Sequence, residues 1–330
     1  MFELIARTER LLTTAHHGQI ARLAHRLRVV HTIGGLGTPG ASKKTQGIYR
    51  GMRISGALLL SLALFSTCCS VAKADGSRFL DLKGDPGLRS ASAIVLDAKG
   101  NIIFGKDANS IRSIASITKL MTAMVTLDAG LDLQQKLTIT KADRDLIRLT
   151  GSRLKEGAKL TRRELLLLAL MSSENRAATA LGRTYPGGME VFIAHMNQKA
   201  ESLGMHHTQF ADPAGLRTEN LSTASDLAIM LNAARSYPLI TEATTTLQEQ
   251  VRPYTSLGPL NYVNTNRLLK NAKWDIQLGK TGYINEAGRC LVMQARIEGE
   301  PISIVLLNSF GKLTPYGDSN RLRKWMLANS

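Results

Sequence analysis

Predicted β-strands stand at both ends of this 330-residue chain, with predicted helices between them. Because hairpin-linked strands pair antiparallel, we predict one antiparallel sheet built from the two ends of the chain. Helices would flank the sheet, and a mainly helical insertion at about residues 131–260 would leave a cleft beside it, which gives an α/β (α+β) fold. The predicted strands are Ala91–Asp97, Ile102–Gly105, Ile276–Tyr283, Arg289–Ile297 and Ile302–Leu307.

Apolar spacing and capping signals locate the helices. The periodic run that follows Ser116 predicts a helix ending at Gly130. A capping box at Thr161–Glu164 opens a helix that is apolar on every face, which indicates that this helix is buried. The remaining predicted helices are Gly188–Leu203, a helix from the capping box Thr223–Asp226 to just before Tyr237, and Ser319–Leu327.

Residues 52–74 have the composition of a secretory signal peptide. One cation, Arg53, precedes a short apolar core, and the segment closes on Ala-Lys-Ala, a small-residue cleavage pattern. A membrane-spanning helix is the alternative, but a span needs about 20 predominantly apolar residues, and polar residues interrupt this run. We therefore predict an exported, periplasmic protein that is cleaved after Ala74.

The 51 residues before this segment are basic and show no sustained hydrophobic period. We expect residues 1–51 to be a disordered extension, or translation to begin at Met52. Residues 75–330 carry 32 Lys and Arg against 24 Asp and Glu, a net charge of +8. This charge favours anionic partners such as a cell-wall polymer. We predict at most peripheral membrane association and no nucleic-acid partner.

Cysteine and histidine are too few after residue 74 for a disulfide framework or a zinc site. Cys290 is the one cysteine there, so no internal disulfide can form. The histidines are at 195, 206 and 207, and their spacing does not resemble a zinc site. We expect neither a metal nor an organic cofactor.

The candidate nucleophile is Ser116. In Ser116-Ile-Thr-Lys119, a hydroxyl and an amine stand three residues apart on one face of the predicted helix. A serine attacks only when a base takes its proton, and a lysine can be that base where burial and nearby cations lower its pKa. The free backbone N–H at the helix start also points to where an oxyanion would form. The pattern predicts a Ser–Lys catalytic pair.

Ser-x-x-Lys alone is a weak motif, since about one chance match is expected in a chain of this length. Further matches include Ser70–Lys73 in the predicted signal peptide and Ser152–Lys155 in a glycine-flanked loop. Neither opens a helix with an apolar face that could bury its lysine. We therefore select Ser116 and Lys119.

Ser173-Glu174-Asn175 ends the all-apolar helix abruptly with polar groups. One interpretation is a solvated helix turn. In the other, the Ser173 hydroxyl relays protons and the Asn175 amide holds the lysine and the substrate backbone.

Lys280-Thr281-Gly282 lies on a predicted strand, and Gly282 leaves room for another backbone to approach. The cation and the hydroxyl would bind a substrate carboxylate, and the charge of Lys280 would help to keep Lys119 neutral. The alternative is an ordinary strand edge with a solubilising lysine.

The order of these motifs resembles the penicillin-recognising serine enzyme family. Within that family, the chain is similar to the low-molecular-mass penicillin-binding proteins of the D-alanyl-D-alanine endopeptidase type. The longer stretches SIASITKLMTAMVTLDA, LLLLALMSSENRAA and IQLGKTGYINEAGRCLVM carry this resemblance. It covers about residues 90–327 and implies a DD-peptidase/β-lactamase-like fold, with residues 75–330 as the catalytic domain.

The resemblance implies a mechanism. Ser116 attacks a D-alanyl carbonyl of a peptidoglycan stem peptide, Lys119 takes the proton, and an acyl-enzyme forms. β-Lactams would acylate Ser116 as substrate mimics. The assisting and substrate-binding residues implied are Ser173, Asn175, Lys280, Thr281, Gly282 and Tyr283, whose backbone N–H would share the oxyanion with that of Ser116.

Three functions other than that of an endopeptidase stay open. A D-alanyl-D-alanine carboxypeptidase is the nearest, although such relatives usually continue into a further domain, whereas this chain ends 48 residues after Gly282. A non-hydrolytic penicillin or cell-wall sensor is the second. A class A β-lactamase is the third, but it needs a glutamate to activate water, and Glu219 and Glu242 have no matching local pattern. We therefore expect slow penicillin release.

Overall fold

A large antiparallel sheet is the centre of the protein in its computed structural model, which describes residues 77–330. The strands in chain order are β1 (Ser92–Leu96), β2 (Ile102–Lys106), β3 (Arg112–Ser113), β4 (Lys136–Thr138), β5 (Lys159–Thr161), β6 (Leu221–Ser222), β7 (Gln248–Val251), β8 (Leu260–Val263), β9 (Asp275–Ile284), β10 (Gly288–Ile297) and β11 (Glu300–Ser309). The central sheet has the order β2-β1-β11-β10-β9, and each neighbouring pair is antiparallel. The prediction of one antiparallel sheet built from both ends is confirmed.

Alternate residues of the central strands face two separate apolar layers, as the two-residue period of a strand requires. On β11, Val305 and Leu307 pack in the larger core cluster with the helices that follow β3. Ile304 and Leu306 pack in a second cluster together with Trp325 near the C-terminus. Because both faces are covered, these strands read as nearly continuous apolar segments.

Helices cover both faces of the sheet. The helices of the described residues are α1 (Lys119–Asp128), α2 (Arg162–Met171), α3 (Asn175–Arg183), α4 (Gly188–Ser202), α5 (Ala224–Ala234), α6 (Pro238–Thr245) and α7 (Thr314–Asn329). α5 and α6 pack on the face of the larger cluster, and α7 packs on the opposite face. The capping box at the start of α2 is complete, with Thr161 and Glu164 bonded reciprocally.

The structure adds two helices that the sequence pattern does not predict, α3 and α6. α3 begins at Asn175, and Glu174 caps it by accepting a hydrogen bond from the N–H of Arg176. Its buried residues are mostly alanine, which gives a weak periodic signal. α6 has Pro238 in its first turn, so the predicted stop at Tyr237 and Pro238 is also a start.

The predicted capping box at Thr223–Asp226 is only half formed. Thr223 Oγ1 accepts from the backbone N–H of Asp226. The Asp226 carboxylate, however, accepts from the N–H of His207 and the hydroxyl of Thr208. The Asp226 carboxylate therefore holds α5 against the preceding loop. Residues of that loop have replaced its expected local partner, the backbone N–H of Thr223.

The predicted extension at residues 1–51 and the predicted signal peptide at residues 52–74 lie outside the described residues. In the described part of the chain, no helix combines the length and the apolar character that crossing a bilayer requires. The helices α2–α6 of the predicted insertion share one apolar core with α1. The boundaries of that insertion stay a prediction.

Candidate active site

Ser116 lies in a 3-10 turn, Ala115–Thr118, that leads directly into α1. The start of the predicted helix is therefore a tighter turn, and Ser116 Oγ lies 2.8 Å from Lys119 Nζ. The Lys119 side chain is completely buried. Its amine also donates to Asn175 Oδ1 at 2.8 Å and to the carbonyl oxygen of Ala214 at 2.5 Å. The predicted nucleophile and the predicted base are in direct contact.

A loop at residues 212–217 packs against the backbone that precedes Ser116. The Asp212 carboxylate stabilises the loop by accepting backbone hydrogen bonds from residues 214–217. Gly215 has a φ of +74°, and a Cβ there would lie 2.0 Å from the carbonyl oxygen of Ala115. Ala115 itself has a φ of +48°, which is uncommon for a residue with a side chain and occurs next to the nucleophile. The sequence Asp-Pro-Ala-Gly at residues 212–215 is typical of a turn, but it does not place the loop beside Ser116.

Ser173 and Asn175 lie where α2 ends and α3 begins. Ser173 has a φ of +61°, and Asn175 is the first residue of α3. Asn175 Nδ2 donates to Thr150 Oγ1 at 2.9 Å, and Thr150 donates to the Asp145 carboxylate at 2.6 Å. This chain of contacts holds the amide whose oxygen accepts from Lys119. Sequence reasoning missed Thr150 and Asp145, because they lie in an irregular loop without a motif.

Lys280 enters the site from the sheet, on β9. Its side chain is 1% exposed, and its amine donates to Ser173 Oγ at 3.0 Å and to the carbonyl oxygen of Thr281 at 2.9 Å. The Thr281 hydroxyl donates to Thr265 Oγ1 at 2.6 Å. The second lysine therefore contacts the second serine, in the same way that Lys119 contacts Ser116.

Gly282 allows β9 to approach the turn that carries the nucleophile. A Cβ at this position would lie 2.9 Å from the carbonyl oxygen of Ile114 and 3.2 Å from the backbone nitrogen of Ser116. Contacts this short leave no room for a side chain, so the close approach requires glycine.

Burial dominates the electrostatics of both lysines. It lowers the pKa of Lys119 to about 7, although Asp212, Glu174 and Asp145 act in the opposite direction. Burial also lowers the pKa of Lys280 well below its usual value, and the positive charge of Lys119 lowers it further. With a pKa of about 7, a large fraction of the Lys119 amine is neutral near pH 7 and can accept the proton of Ser116.

An open groove of about 780 Å³ runs past the site. Lys119 and Lys280 do not line it, and each reaches it through a serine hydroxyl. Lys280 and Thr281 are predicted to bind a substrate carboxylate together, and within this groove the Thr281 side chain is the nearer group. The predicted site residues that line the groove are Ser116, Ser173, Asn175, Thr281, Gly282 and Tyr283.

The rejected candidates lie elsewhere. Ser152 bonds locally to the backbone of Leu154, and Lys155 is exposed. Glu242 pairs with an arginine, and neither it nor Glu219 lines the groove. Within residues 77–330, no cluster of three or more His, Cys, Asp or Glu side chains could hold a metal ion.

Residues 82–311 match the family model of the D-alanyl-D-alanine carboxypeptidases. This match spans the three motifs and most of the described chain. The chain belongs to the D-alanyl-D-alanine carboxypeptidase family. The resemblance that the motifs indicate is therefore confirmed, and the protein is a serine peptidase of this family.

Relatives of this D-alanyl-D-alanine carboxypeptidase family member include two endopeptidases. The D-alanyl-D-alanine endopeptidase of Pseudomonas aeruginosa is 44% identical over 272 residues, 81% of this chain and 88% of that protein. The D-alanyl-D-alanine endopeptidase of Escherichia coli K12 is 44% identical over 242 residues, 73% of this chain and 78% of that protein. The crystal structure of the Streptomyces K15 DD-transpeptidase is 28% identical with a TM-score of 0.69, covering 74% of this chain and 100% of that chain. The predicted DD-peptidase fold is confirmed.

Proposed function

We propose that the protein is a serine D,D-endopeptidase that hydrolyses D-alanyl cross-links in peptidoglycan through an acyl-enzyme on Ser116. The 2.8 Å contact between Ser116 Oγ and the buried Lys119 amine carries this proposal. The names of the two relatives at 44% identity support cleavage of a cross-link rather than of a terminal D-alanine.

In the acylation step, neutral Lys119 takes the hydroxyl proton as Ser116 Oγ bonds to the D-alanyl carbonyl carbon. The carbonyl oxygen becomes an oxyanion, for which we propose the backbone N–H groups of Ser116 and Tyr283 as donors. The C–N bond then breaks and leaves a serine ester. The leaving amine receives the proton from the Lys119 ammonium, either directly or through the Ser173 hydroxyl.

Deacylation repeats the proton transfers with water as the nucleophile. Lys119 takes a proton from the water molecule while the water oxygen bonds to the ester carbonyl carbon, and the ester bond to Ser116 Oγ then breaks. The proton returns to Ser116 Oγ, and the D-alanyl product leaves as a carboxylate. Asn175 would hold the amine in place through both steps, because its Oδ1 lies 2.8 Å from Lys119 Nζ.

Thr281 and Lys280 would bind the carboxylate of the leaving group. The Thr281 hydroxyl can contact the carboxylate in the groove, with the Lys280 amine buried behind it. An anion at this position would raise the pKa of Lys280, because an opposite charge favours the ammonium form. Substrate binding would therefore charge Lys280 and leave Lys119 neutral.

β-Lactams would acylate Ser116 by the same first step. Among the described residues, no Asp or Glu lines the groove to activate water as the glutamate of a class A β-lactamase does, so we expect the penicilloyl ester to persist. A class A β-lactamase function would instead give fast release.

Digestion of purified muropeptides tests the proposed activity. We expect the wild-type protein to convert cross-linked dimers to monomers, which chromatography separates, and Ser116→Ala to be inactive. Release of terminal D-alanine from pentapeptides without dimer cleavage would favour the carboxypeptidase. Stoichiometric penicillin labelling without any turnover would favour the sensor.

We propose that the protein acts in the periplasm after cleavage following Ala74. The composition of residues 52–74 supports this location. N-terminal sequencing of the protein recovered from cells should begin at Asp75, and a mature protein that retains residues 52–74 would contradict the proposal.

A further inference from the structure

The groove has a cationic end that the proposed reaction does not use. Arg267, Lys270, Arg289 and Lys312 all line it. They come from three places, namely the 3-10 turn at residues 267–270, β10 and the segment before α7. In the described part of the chain, none of these four cations lies within 4.0 Å of a carboxylate oxygen. Their charge is therefore available to a ligand.

These cations line the same groove as Thr281. Thr281, the proposed carboxylate contact, donates to Thr265, whose carbonyl oxygen accepts from the Tyr316 hydroxyl at 3.0 Å. Burial raises the pKa of Tyr316, and the positive charges of Arg267 and Arg289 act in the opposite direction. Arg267, Arg289 and Tyr316 all line the groove, and Tyr316 connects through Thr265 to Thr281.

Arg289 is the most rigidly held of the four. Its guanidinium carbon lies 3.5 Å from the centre of the Tyr283 ring, and its side chain is half-buried. A stacked, planar guanidinium is oriented in advance to bind a carboxylate with two hydrogen bonds. Lys270 and Lys312 are exposed and can adapt to ligands of different length.

The charged side chains that act on Lys119 have the other sign. Asp145, Glu174 and Asp212 act on Lys119 from the helical side. The site therefore has carboxylates near the base and cations along the groove that Thr281 lines. Such an arrangement orients a substrate whose negative charges lie on its leaving-group side.

We propose that the cationic end of the groove is a subsite for a polyanionic leaving group, a peptide that carries more than one carboxylate beyond the scissile bond. The inference rests on the proposed function and names the class of its leaving group. A single amino acid has one carboxylate, which Thr281 would hold, and it leaves the four cations without a ligand. A second stem peptide in a cross-link supplies the additional carboxylates.

Competing substrates test this subsite. A cross-linked dimer and a pentapeptide monomer share the acyl donor and differ in the leaving group. In Lys270→Gln/Lys312→Gln, we expect kcat/KM for the dimer to fall about tenfold relative to the monomer, since each exposed ion pair changes affinity by up to about fivefold. Arg289→Gln should lower the same ratio, and added salt should lower it for the wild type.

Controls separate this inference from the proposed function. Lys136→Gln/Lys159→Gln removes two exposed cations on β4 and β5, outside the groove, and should keep the wild-type ratio. Dimers whose carboxylates are converted to amides should show, with the wild-type protein, the same loss in kcat/KM relative to the monomer as unmodified dimers show with the double variant. If the wild-type protein cleaves dimers and the groove variants keep the wild-type ratio of dimer to monomer kcat/KM, the proposed subsite is wrong. The proposed endopeptidase function is then unaffected. If no dimer is cleaved while penicillin still labels Ser116, the proposed function itself fails.

Discussion

The two buried lysines of the site belong to different regions of the molecule and have different surroundings. Lys119 lies at the start of α1 in the helical region, where carbonyl oxygens accept from it and nearby carboxylates oppose the effect of burial. Lys280 lies on β9 of the sheet, where the charge of Lys119 adds to the effect of burial. Each amine contacts one serine hydroxyl that lines the groove.

The neighbours of each lysine, rather than its residue type, determine its role in the site. An amine whose pKa lies near 7 can take a proton from a serine and return it. An amine whose charged form is disfavoured until an anion arrives can respond to a substrate carboxylate. The close approach of β9 to the nucleophile turn brings the two roles together, because neither region contains both lysines.

Removal of the Lys119 amine tests the proposed base and should have the largest effect. We expect Lys119→Met to lower the rate of penicillin acylation by about 10²–10⁴-fold, the usual contribution of a general base. Time courses of labelling with a fluorescent penicillin measure this rate. Lys155→Met, in the rejected Ser-x-x-Lys match, is the matched control and should label normally. Wild-type labelling of Lys119→Met would assign the base elsewhere.

Separation of the two lysine-bearing regions should have the next largest effect. Gly282→Ala would place a methyl group 2.9 Å from the Ile114 carbonyl oxygen and push β9 away from Ser116. We expect acylation to slow about 10²-fold, as misplacement of reacting groups by about 1 Å does elsewhere. Gly258→Ala, where a Cβ meets nothing within 4 Å, is the control. Equal rates for both variants would contradict the role of the close approach.

The pH dependence of acylation should report the pKa of Lys119. The protonated amine cannot accept a proton, so the rate should rise about tenfold per pH unit below a midpoint of about 7 and level off above it. An anion bound in the groove would charge Lys280, so in the saturated complex Lys280→Met should raise the pKa of Lys119 and move this limb to higher pH. If the midpoint of the pH–rate profile does not move, the two amines do not interact.

The smallest effect is expected at Thr150, which holds the Asn175 amide. Thr150→Val removes the acceptor of Asn175 Nδ2 and should slow acylation about fivefold, the equivalent of one hydrogen bond. Thr150→Ser keeps a hydroxyl and should restore most of the rate. If both variants slow acylation equally, the loop acts through packing instead.

Much of this arrangement could be predicted from the sequence. Continuous apolar strands at both ends determined the sheet, and a helix start with an apolar face singled out Ser116 among several Ser-x-x-Lys matches. Gly282 on a strand indicated a close backbone approach. Each of these signals is local, and each depends on a residue type with a specific physical role.

The contacts that hold the site together could not be predicted, because they join residues distant in the chain. Asp212 stabilises a loop that packs on Ala115, and Thr150 holds Asn175 from another loop. The burial of Lys280 behind Ser173 was also not visible in the strand pattern. Side-chain burial of this kind is determined by tertiary packing.

Mass spectrometry of the intact protein after exposure to penicillin tests the convergence of the three motifs most directly. We predict that the wild-type protein gains one penicilloyl group, that peptide mapping places it on Ser116, and that Ser116→Ala gains none. An adduct that persists in Ser116→Ala, or one that maps to another residue, would contradict the assignment of the nucleophile.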